Sequence, residues 1–289
     1  MSFHQKCLIC NSDNLYTLTS YNRAYLVKCN DCGFVFSKKI PTNEELISHY
    51  DGYGRNDYLS PITIKRYNEI LDKLEKYRKT NKLIDVGCGI GYFLEEAKKR
   101  GWEVYGTEMT DKAVEICKQK GINIYHGELN ISDFEEGSFD VVTSFEVIEH
   151  IYNPQEEAKK FNYLLRKGGL LYLTTPNFNS FSRDILKDKW SIIYYPEHLS
   201  YYTKKTINSL LSNNGFVKKC ILTTGISLTR YKKSLNKSSQ KLISNSSDDE
   251  KIRIKAEENI FLKLIKNIIN LKLSILGKGD TIKAYFVKK

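Results

Sequence analysis

The sequence contains no apolar run approaching the roughly 20 residues that cross a bilayer, which excludes a transmembrane helix. Nor does an apolar h-region follow Met1-Ser2-Phe3-His4-Gln5-Lys6, so a secretory signal is excluded and a cytoplasmic protein is expected. Acids are in deficit: 34 Asp and Glu stand against 45 Lys and Arg, for a formal net charge of +11. That excess suits an acidic partner, whether nucleic acid, a nucleotide-linked sugar or an anionic membrane surface. It does not choose among them, and solvated helix faces account for much of it. What is present is a hydrophobic content of 41%, which supports a real core, in 289 residues, enough for one large domain and a small one. Tyrosine is abundant, as in proteins that line sugar or base pockets. Of seven cysteines, Cys88, Cys117 and Cys220 are scattered and read as small core residues.

A dinucleotide fingerprint is also missing. The stretch Leu83-Ile84-Asp85-Val86-Gly87-Cys88-Gly89-Ile90-Gly91-Tyr92 reads as a buried parallel strand, a glycine turn and a helix over 92–100. Glycines let the backbone turn sharply and approach a ligand, and the helix start favours an anionic group. The G-x-G-x-x-G pattern of dinucleotide sites needs glycine at 92, where Tyr92 stands. A second apolar run, 102–106, leads to Glu108, where an acid at the end of the second strand would meet ribose hydroxyls. The pattern Asp85-x-Gly87-x-Gly89-x-Gly91 resembles the first motif of class I S-adenosylmethionine methyltransferases. The resemblance covers about 81–216. It implies a Rossmann-like α/β fold, a seven-stranded doubly wound sheet whose last strand inserts antiparallel. It also implies that Asp85, Gly87, Gly89 and Gly91 hold the methionine end of S-adenosylmethionine, that Glu108 binds its ribose, and that Glu128 and Leu129 lie by adenine with Phe145 in the same site.

Four cysteines form two pairs, Cys7-x-x-Cys10 and Cys29-x-x-Cys32, the second followed by Gly33. Each pair is a tight turn able to offer two thiolates to one tetrahedral zinc. Strand-like segments at 15–19 and 24–27 lie between them, and the spacing fits a zinc ribbon over 1–40. Disulfides and a redox pair are the alternatives; a reducing compartment argues against the first, and two pairs at this spacing favour metal over the second. Such a ribbon is too small to bury its own core and needs its metal to fold. Four Cys ligands leave no open position, so the expected role is structural or substrate-docking and not catalytic.

The remainder, 41–289, alternates strands and helices, which argues for a doubly wound parallel sheet. Thr42 and Glu45 stand at capping-box spacing, and 51–54 is a loop that the family resemblance lays over the cofactor's methyl end. Pro61 opens a helix with Tyr67, Ile70, Leu71, Leu74 and Tyr77 on one face. Thr110 is expected to cap the next helix, the fifth strand to start after Gly168-Gly169, and the seventh to lie over 280–287. An insertion at about 231–278 precedes that last strand. Its first half, 234–250, is rich in Ser, Asn and Lys and reads as a mobile loop. Its second half, Ile260–Leu276, is apolar with a narrow polar stripe of Lys263, Lys266, Asn267, Asn270 and Ser274 at helical spacing. The reading adopted is a helix buried on most sides against the domain; contact with a second copy or a membrane surface is the alternative.

The chemistry concentrates after the fourth strand, in Glu146-Val147-Ile148-Glu149-His150, and in a later Pro196-Glu197-His198-Leu199. Ligands in open α/β sheets sit at the carboxyl ends of strands, so these acids and imidazoles fall near the cofactor. E-x-x-E-H with a later His resembles the metal cluster of small-RNA 2'-O-methyltransferases and the motif of ubiquinone-pathway O-methyltransferases. On that pattern Glu146, Glu149, His150 and His198 would hold a divalent cation (magnesium, manganese or zinc) that binds acceptor hydroxyls and lowers the pKa of the one attacked. A metal-free version uses His198 or His150 as general base. The RNA enzymes carry a further His where this chain has Asn153, which weakens the reading of an RNA partner. The ribbon and the Pro-Glu-His-Leu segment resemble bacterial methyltransferases of sugar and polysaccharide pathways. The chain is too short for the C-terminal domain of the sugar C-methyltransferases. The expectation is therefore O-methylation of a sugar, nucleotide-sugar or glycan, in an aromatic pocket using Tyr194, Tyr195, Tyr201 and Tyr202. A zinc-ribbon binding module with a degenerate cofactor domain is the non-enzymatic rival.

Overall fold

The computed structural model describes residues 2–42, 44–46, 59–235 and 248–289. The N-terminal part forms β1 (Ser2–Phe3), β2 (Leu15–Thr17), β3 (Leu26–Cys29), β4 (Val35–Ser37) and β5 (Lys39–Ile40). The rest alternates: α1 (Pro61–Leu74), β6 (Lys82–Val86), α2 (Tyr92–Lys99), β7 (Glu103–Glu108), α3 (Asp111–Gln119), β8 (Asn123–His126), β9 (Phe139–Phe145), α4 (Pro154–Leu164) and β10 (Leu165–Pro176). Then follow α5 (Phe181–Leu186), β11 (Ser200–Tyr201), α6 (Lys204–Asn213), β12 (Phe216–Thr224), α7 (Leu228–Ser234), α8 (Asp248–Glu258), α9 (Ile260–Leu276) and β13 (Thr281–Lys288).

The large sheet runs β12-β13-β10-β9-β6-β7-β8. Its ladder is parallel except at β13, which pairs antiparallel with β10 and β12. Side chains alternate across a strand, and the core divides accordingly. Leu83, Val141 and Leu170 join Leu71, Leu74, Phe93 and Cys117 of α1–α3 in one cluster. Their neighbours Ile84, Val142 and Leu171 join Ala158 and Phe161 of α4 and Leu210 of α6 in another. Both faces of the sheet are thus covered, which is why these strands read as unbroken apolar runs. Strand order reverses between β6 and β9, so their carboxyl ends open a crevice. Asp140 locks the entry to β6: its Oδ2 accepts the backbone N–H groups of Lys79, Thr80 and Asn81 at 2.7, 2.7 and 2.8 Å, and Arg166 Nε reaches its Oδ1 at 2.5 Å.

Several local expectations change. The strand-like segments expected at 15–19 and 24–27 are strands at Leu15–Thr17 and Leu26–Cys29; between them Thr19–Ala24 is a 3-10 turn that buries Tyr21 and Ala24 in a satellite apolar cluster. β10 begins at Leu165, before the glycines. Gly169 sits in the irregularity between Leu165 and Leu170, where a Cβ would lie 2.9 Å from the Arg166 carbonyl. Thr110 occupies the N-cap position of α3 without bonding the helix; its hydroxyl donates to Glu108 instead. The Thr42–Glu45 capping box forms, at 3.0 and 3.3 Å. The expected loops at 51–54 and, in its greater part, 234–250 lie outside the described residues; Asp248–Glu258 is helical.

Two findings reshape the picture. The small sheet is β11-β4-β3-β2, so its edge strand comes from residues 200–201 of the large domain. The Cys-rich module also shares the main core: Cys7, Ile9, Phe34 and Phe36 cluster with Ile148 and Tyr202. Secondly, α9 is not buried on most sides. Ser274 alone is buried, and the apolar residues face outward. The polar stripe is the docking face: Asn270 Oδ1 accepts Gly225 N–H at 2.9 Å, Ser274 Oγ accepts Thr223 N–H at 3.3 Å, and the Leu273 carbonyl accepts the Thr223 hydroxyl at 2.9 Å. An apolar sequence hid a helix bonded to its domain through its few polar side chains.

Candidate functional site

The crevice holds a cavity of about 980 Å³ that takes in the glycine loop, Glu108, 127–129, the turn after β9 and the His198 segment. Gly87, Gly89 and Gly91 have φ of +71°, +56° and +75°, a region closed to most L side chains. At Gly91 a Cβ would stand 2.5 Å from Ile122 Cδ1 and 3.0 Å from Cys117 Sγ, so glycine also lets the start of α2 pass close to the end of α3. Gly89 N–H donates to Glu108 Oε2 at 2.9 Å. Glu108 Oε1 accepts Met109 N–H at 2.9 Å and both Thr110 N–H and its hydroxyl at 3.0 Å. The acid thereby ties the loop to the end of β7 while facing the cavity. Asp85 is buried and accepts the Thr143 hydroxyl at 2.7 Å. Leu129 is buried, Glu128 lines the wall beside it, and Phe145 packs edge-on against Phe93 at 4.9 Å. All the expected cofactor residues except Gly91 therefore line one cavity.

The acceptor end is assembled from two distant segments. After β9 the chain makes a tight turn: Glu146 takes a left-handed φ of +55°, and Ile148–His150 forms a 3-10 turn. The 194–200 segment, entered through a cis Tyr195–Pro196 peptide, is bonded onto that turn. Leu199 N–H donates to the Glu149 carbonyl at 2.8 Å. Each imidazole is held by Nδ1, His150 on the Glu197 carbonyl and His198 on the Ile192 carbonyl, both at 2.7 Å. A carbonyl only accepts, so Nδ1 carries the proton in each ring and the lone pair lies on Nε2. The rings stand 4.9 Å apart. Glu149, His150 and His198 offer ligand atoms that all lie within 4.8 Å of one another. Glu146 lines the same cavity but is outside that convergence. Glu149 accepts the Thr175 hydroxyl at 2.9 Å. Burial, reinforced by the charge of Glu146, pushes its carboxyl well above the usual range; burial also pushes Glu146 up, against the opposing charge of Arg230. A buried carboxylate with two imidazoles, Glu149, His150 and His198, is a donor set suited to a divalent cation.

The expected tyrosine pocket is corrected. None of Tyr194, Tyr195, Tyr201 and Tyr202 lines the cavity. Tyr201 and Tyr202 are core residues whose hydroxyls donate to the His198 and Ile148 carbonyls, and Tyr195 donates to Glu45 at 2.9 Å. They brace the histidine segment instead of facing a ligand. Sequence reasoning also missed Arg230 and Lys233, which line the acceptor end from α7. Arg230 Nε is buried with no hydrogen-bond partner among the described residues. The one signal in the sequence is two cations three apart, which share a helix face.

Remote from the cavity, Cys7, Cys10, Cys29 and Cys32 place their sulfurs within 4.8 Å of one another, with Cys7–Cys32 and Cys10–Cys29 each at 3.5 Å. Tetrahedral zinc with bonds of about 2.3 Å sets sulfurs about 3.8 Å apart, so the cluster fits that ion. The two turns match. Asn11 N–H donates to the Cys7 carbonyl at 3.0 Å and Gly33 N–H to the Cys29 carbonyl at 2.9 Å, with φ of +59° and +82°. Asn is the side chain that best tolerates what Gly33 does freely.

Comparison with known proteins agrees with this geometry. The family described as methyltransferase domain matches residues 60–220, more than half of the chain. The ubiquinone biosynthesis O-methyltransferase of Saccharophagus degradans is 31% identical over 153 residues, covering 50% of this chain and 64% of that protein; the chain thus spans less than two thirds of that relative's length. The S-adenosylmethionine-dependent methyltransferase of Archaeoglobus fulgidus aligns with a TM-score of 0.54 at 17% identity, over 84% of this chain and 98% of that one. Phosphoethanolamine N-methyltransferase 2 of Haemonchus contortus, solved with S-adenosylmethionine, aligns at 0.52 and 19% identity, over 88% and 61%. At these identities the structural likenesses concern the fold. Among the described residues no helix is long and apolar enough to cross a membrane.

Proposed function

The chain belongs to the methyltransferase domain family, and we propose that it methylates a hydroxyl of a sugar, nucleotide-sugar or glycan with S-adenosylmethionine, in the cytoplasm. Asp85, Gly87 and Gly89 would hold the methionine end of the cofactor, with Gly91 setting the turn, Glu108 its ribose, and Glu128, Leu129 and Phe145 its adenine side. When bound, S-adenosylmethionine supplies a sulfonium methyl that needs only in-line approach of a nucleophile. The protein's task is then the acceptor oxygen. A hydroxyl is a poor nucleophile until it loses its proton, and His198 Nε2, its lone pair set by the Nδ1 bond to Ile192, would take that proton as the O–C bond forms and the S–C bond breaks. His150 is oriented the same way and would share the work. The observation that carries this reading is the convergence of Glu149, His150 and His198 at the mouth of the cofactor crevice.

O-methylation is also the chemistry named in the relatives' description. Arg230 and Lys233 favour an anionic acceptor, which suits a nucleotide-sugar or phosphorylated glycan better than a neutral one. The donor set supports a second, metal-assisted form. A divalent cation on Glu149, His150 and His198 would lower the pKa of the acceptor hydroxyl. The four N-terminal cysteines would hold a structural zinc in a ribbon over 1–40, ahead of a catalytic domain over 41–289.

Calorimetric titration with S-adenosylmethionine, followed by turnover on a panel of nucleotide-sugars and glycans, tests the proposal. His198→Ala is expected to bind the cofactor as the wild type does and to lose about a hundredfold or more in turnover. Unchanged turnover removes His198 from the chemistry, and absent cofactor binding makes the chain a binding module. Retained activity after removal of every metal except the cysteine-held zinc selects the metal-free form.

A further inference from the structure

The helix α9 turns its hydrophobic side to water. Ile260, Phe261 and Ile275 are 87, 67 and 74% exposed, and Leu264, Leu271 and Leu276 also stand outward. At 100° per residue the apolar positions run from Ile260 through Phe261 to Ile269 and Leu262, roughly 200° of arc, interrupted by Lys272. The remaining sector is the polar stripe already bonded to β12. Packing against one protein surface covers a stripe on the order of 100° wide, so a second copy laid along α9 would leave half of this arc in water. A fluid hydrocarbon layer covers all of it.

Charge points the same way. Helix α9 carries Lys263, Lys266 and Lys272 and no acid. The helix packed before it, α8, exposes Lys251, Arg253 and Lys255 beside Ile252 and Ile254. Four of its five acids are engaged: Asp248 pairs with Lys232 at 2.7 Å, Asp249 caps α7 through Leu228 N–H at 2.8 Å, Glu250 is buried on Ser60, and Glu257 takes Lys65 and Lys266; Glu258 is exposed. Two such faces from two copies would bring like charges together, each on a chain of net +11. At 17 residues, and fixed to the domain along one side, α9 cannot cross a bilayer.

We propose that α9 lies in the surface of an anionic lipid bilayer, its apolar arc in the acyl boundary, with Lys272 reaching up from that arc and Lys251, Arg253 and Lys255 of α8 at the headgroups. This docking needs none of the methyl-transfer chemistry and stands or falls separately from it. Flotation of the full chain with phosphatidylglycerol–phosphatidylethanolamine vesicles is expected to carry the protein, pure phosphatidylcholine vesicles to carry far less, and added salt to weaken the binding. Phe261→Glu with Leu264→Glu should lower vesicle affinity about a hundredfold or more while leaving the melting temperature unchanged, since both side chains are already in water. If the glutamates disturb folding, Phe261→Ser with Leu264→Ser reads the same loss. Absence of flotation overturns the proposal, as does flotation that neither pair of substitutions reduces. A concentration-dependent dimer in sedimentation equilibrium, broken by the same substitutions in a protein that ignores vesicles, assigns the face to a second copy instead.

Discussion

The two ends of the cavity are built on different plans. The proposed cofactor end comes mostly from one continuous stretch, β6, three glycines, α2 and the acid at the end of β7, with 127–129 and Phe145 beside it. The loop is tied to β7 by Gly89 N–H on Glu108 at 2.9 Å, Cys88 N–H on the Thr107 carbonyl at 3.0 Å and Gly87 N–H on the Thr107 hydroxyl at 3.3 Å. The acceptor end joins a turn at 146–150, a segment at 194–200 and a helix at 228–234, and that middle segment is anchored to a third place, β4 of the Cys-rich module. A cofactor common to many enzymes can be held by a local motif. An acceptor particular to one enzyme is met by side chains that the fold must first bring together.

The sharpest break between the two ends should come from stripping the metal that the four cysteines are proposed to hold. A site of four cysteine ligands contributes folding energy on the order of 10 kcal/mol to its own small module. Chelation is expected to undo β2–β4, to free β11 and with it His198, and so to abolish turnover. Residual cofactor binding, read by calorimetry, should outlast it; equal loss of both would mean that the two ends are one unit. A smaller effect belongs to Glu157, which lines the cavity from α4 and whose carboxyl burial pushes up to about 7 from an ordinary 4.5. A raised folded-state pKa adds stability below pH 4.5 that is lost as the pH climbs through 7. Between those values the wild type should lose about 3 kcal/mol more than Glu157→Gln, measured by urea unfolding at each pH.

Glu108→Ala comes next. It removes the acid that anchors the loop and is proposed to meet the ribose, and should weaken cofactor binding about tenfold to a hundredfold while acceptor KM stays put. Arg230→Gln is the mirror image and the smallest effect. It is expected to raise acceptor KM about tenfold with cofactor affinity unchanged. If Arg230→Gln instead weakens cofactor binding, the division between the ends is wrong.

How much was legible in the sequence follows the same line. Strand, glycines, helix and acid are neighbours in the chain, and local patterning located every one of them, down to the bounds Ile260–Leu276 of the last helix. The cysteine convergence was legible because each pair is a tight turn. Partnership across the chain was not. Nothing in Ser200-Tyr201 says that it will pair with Val35 and Phe36, so Tyr195, Tyr201 and Tyr202, which brace this junction, read with Tyr194 as a sugar pocket. Nor does amphipathic spacing say which side of a helix meets water. In α9 the minority side docks because Asn270 and Ser274 satisfy backbone N–H groups at Gly225 and Thr223 that would otherwise lack partners. Arg230 and Lys233 were missed because Lys233 falls in the segment read as an insertion, Arg230 stands just ahead of it, and no motif marks either.

The pairing of β11 with β4 orders the events of synthesis. The cysteine ligands are complete once Cys32 has left the ribosome, yet the outer edge of β4 stays open until residues 200–201 follow. An open edge invites pairing with other chains. If the module captures the proposed zinc as it emerges, the metal would hold that edge in register through the wait, and a cell short of zinc should then accumulate this protein as aggregate before it accumulates it as an inactive monomer.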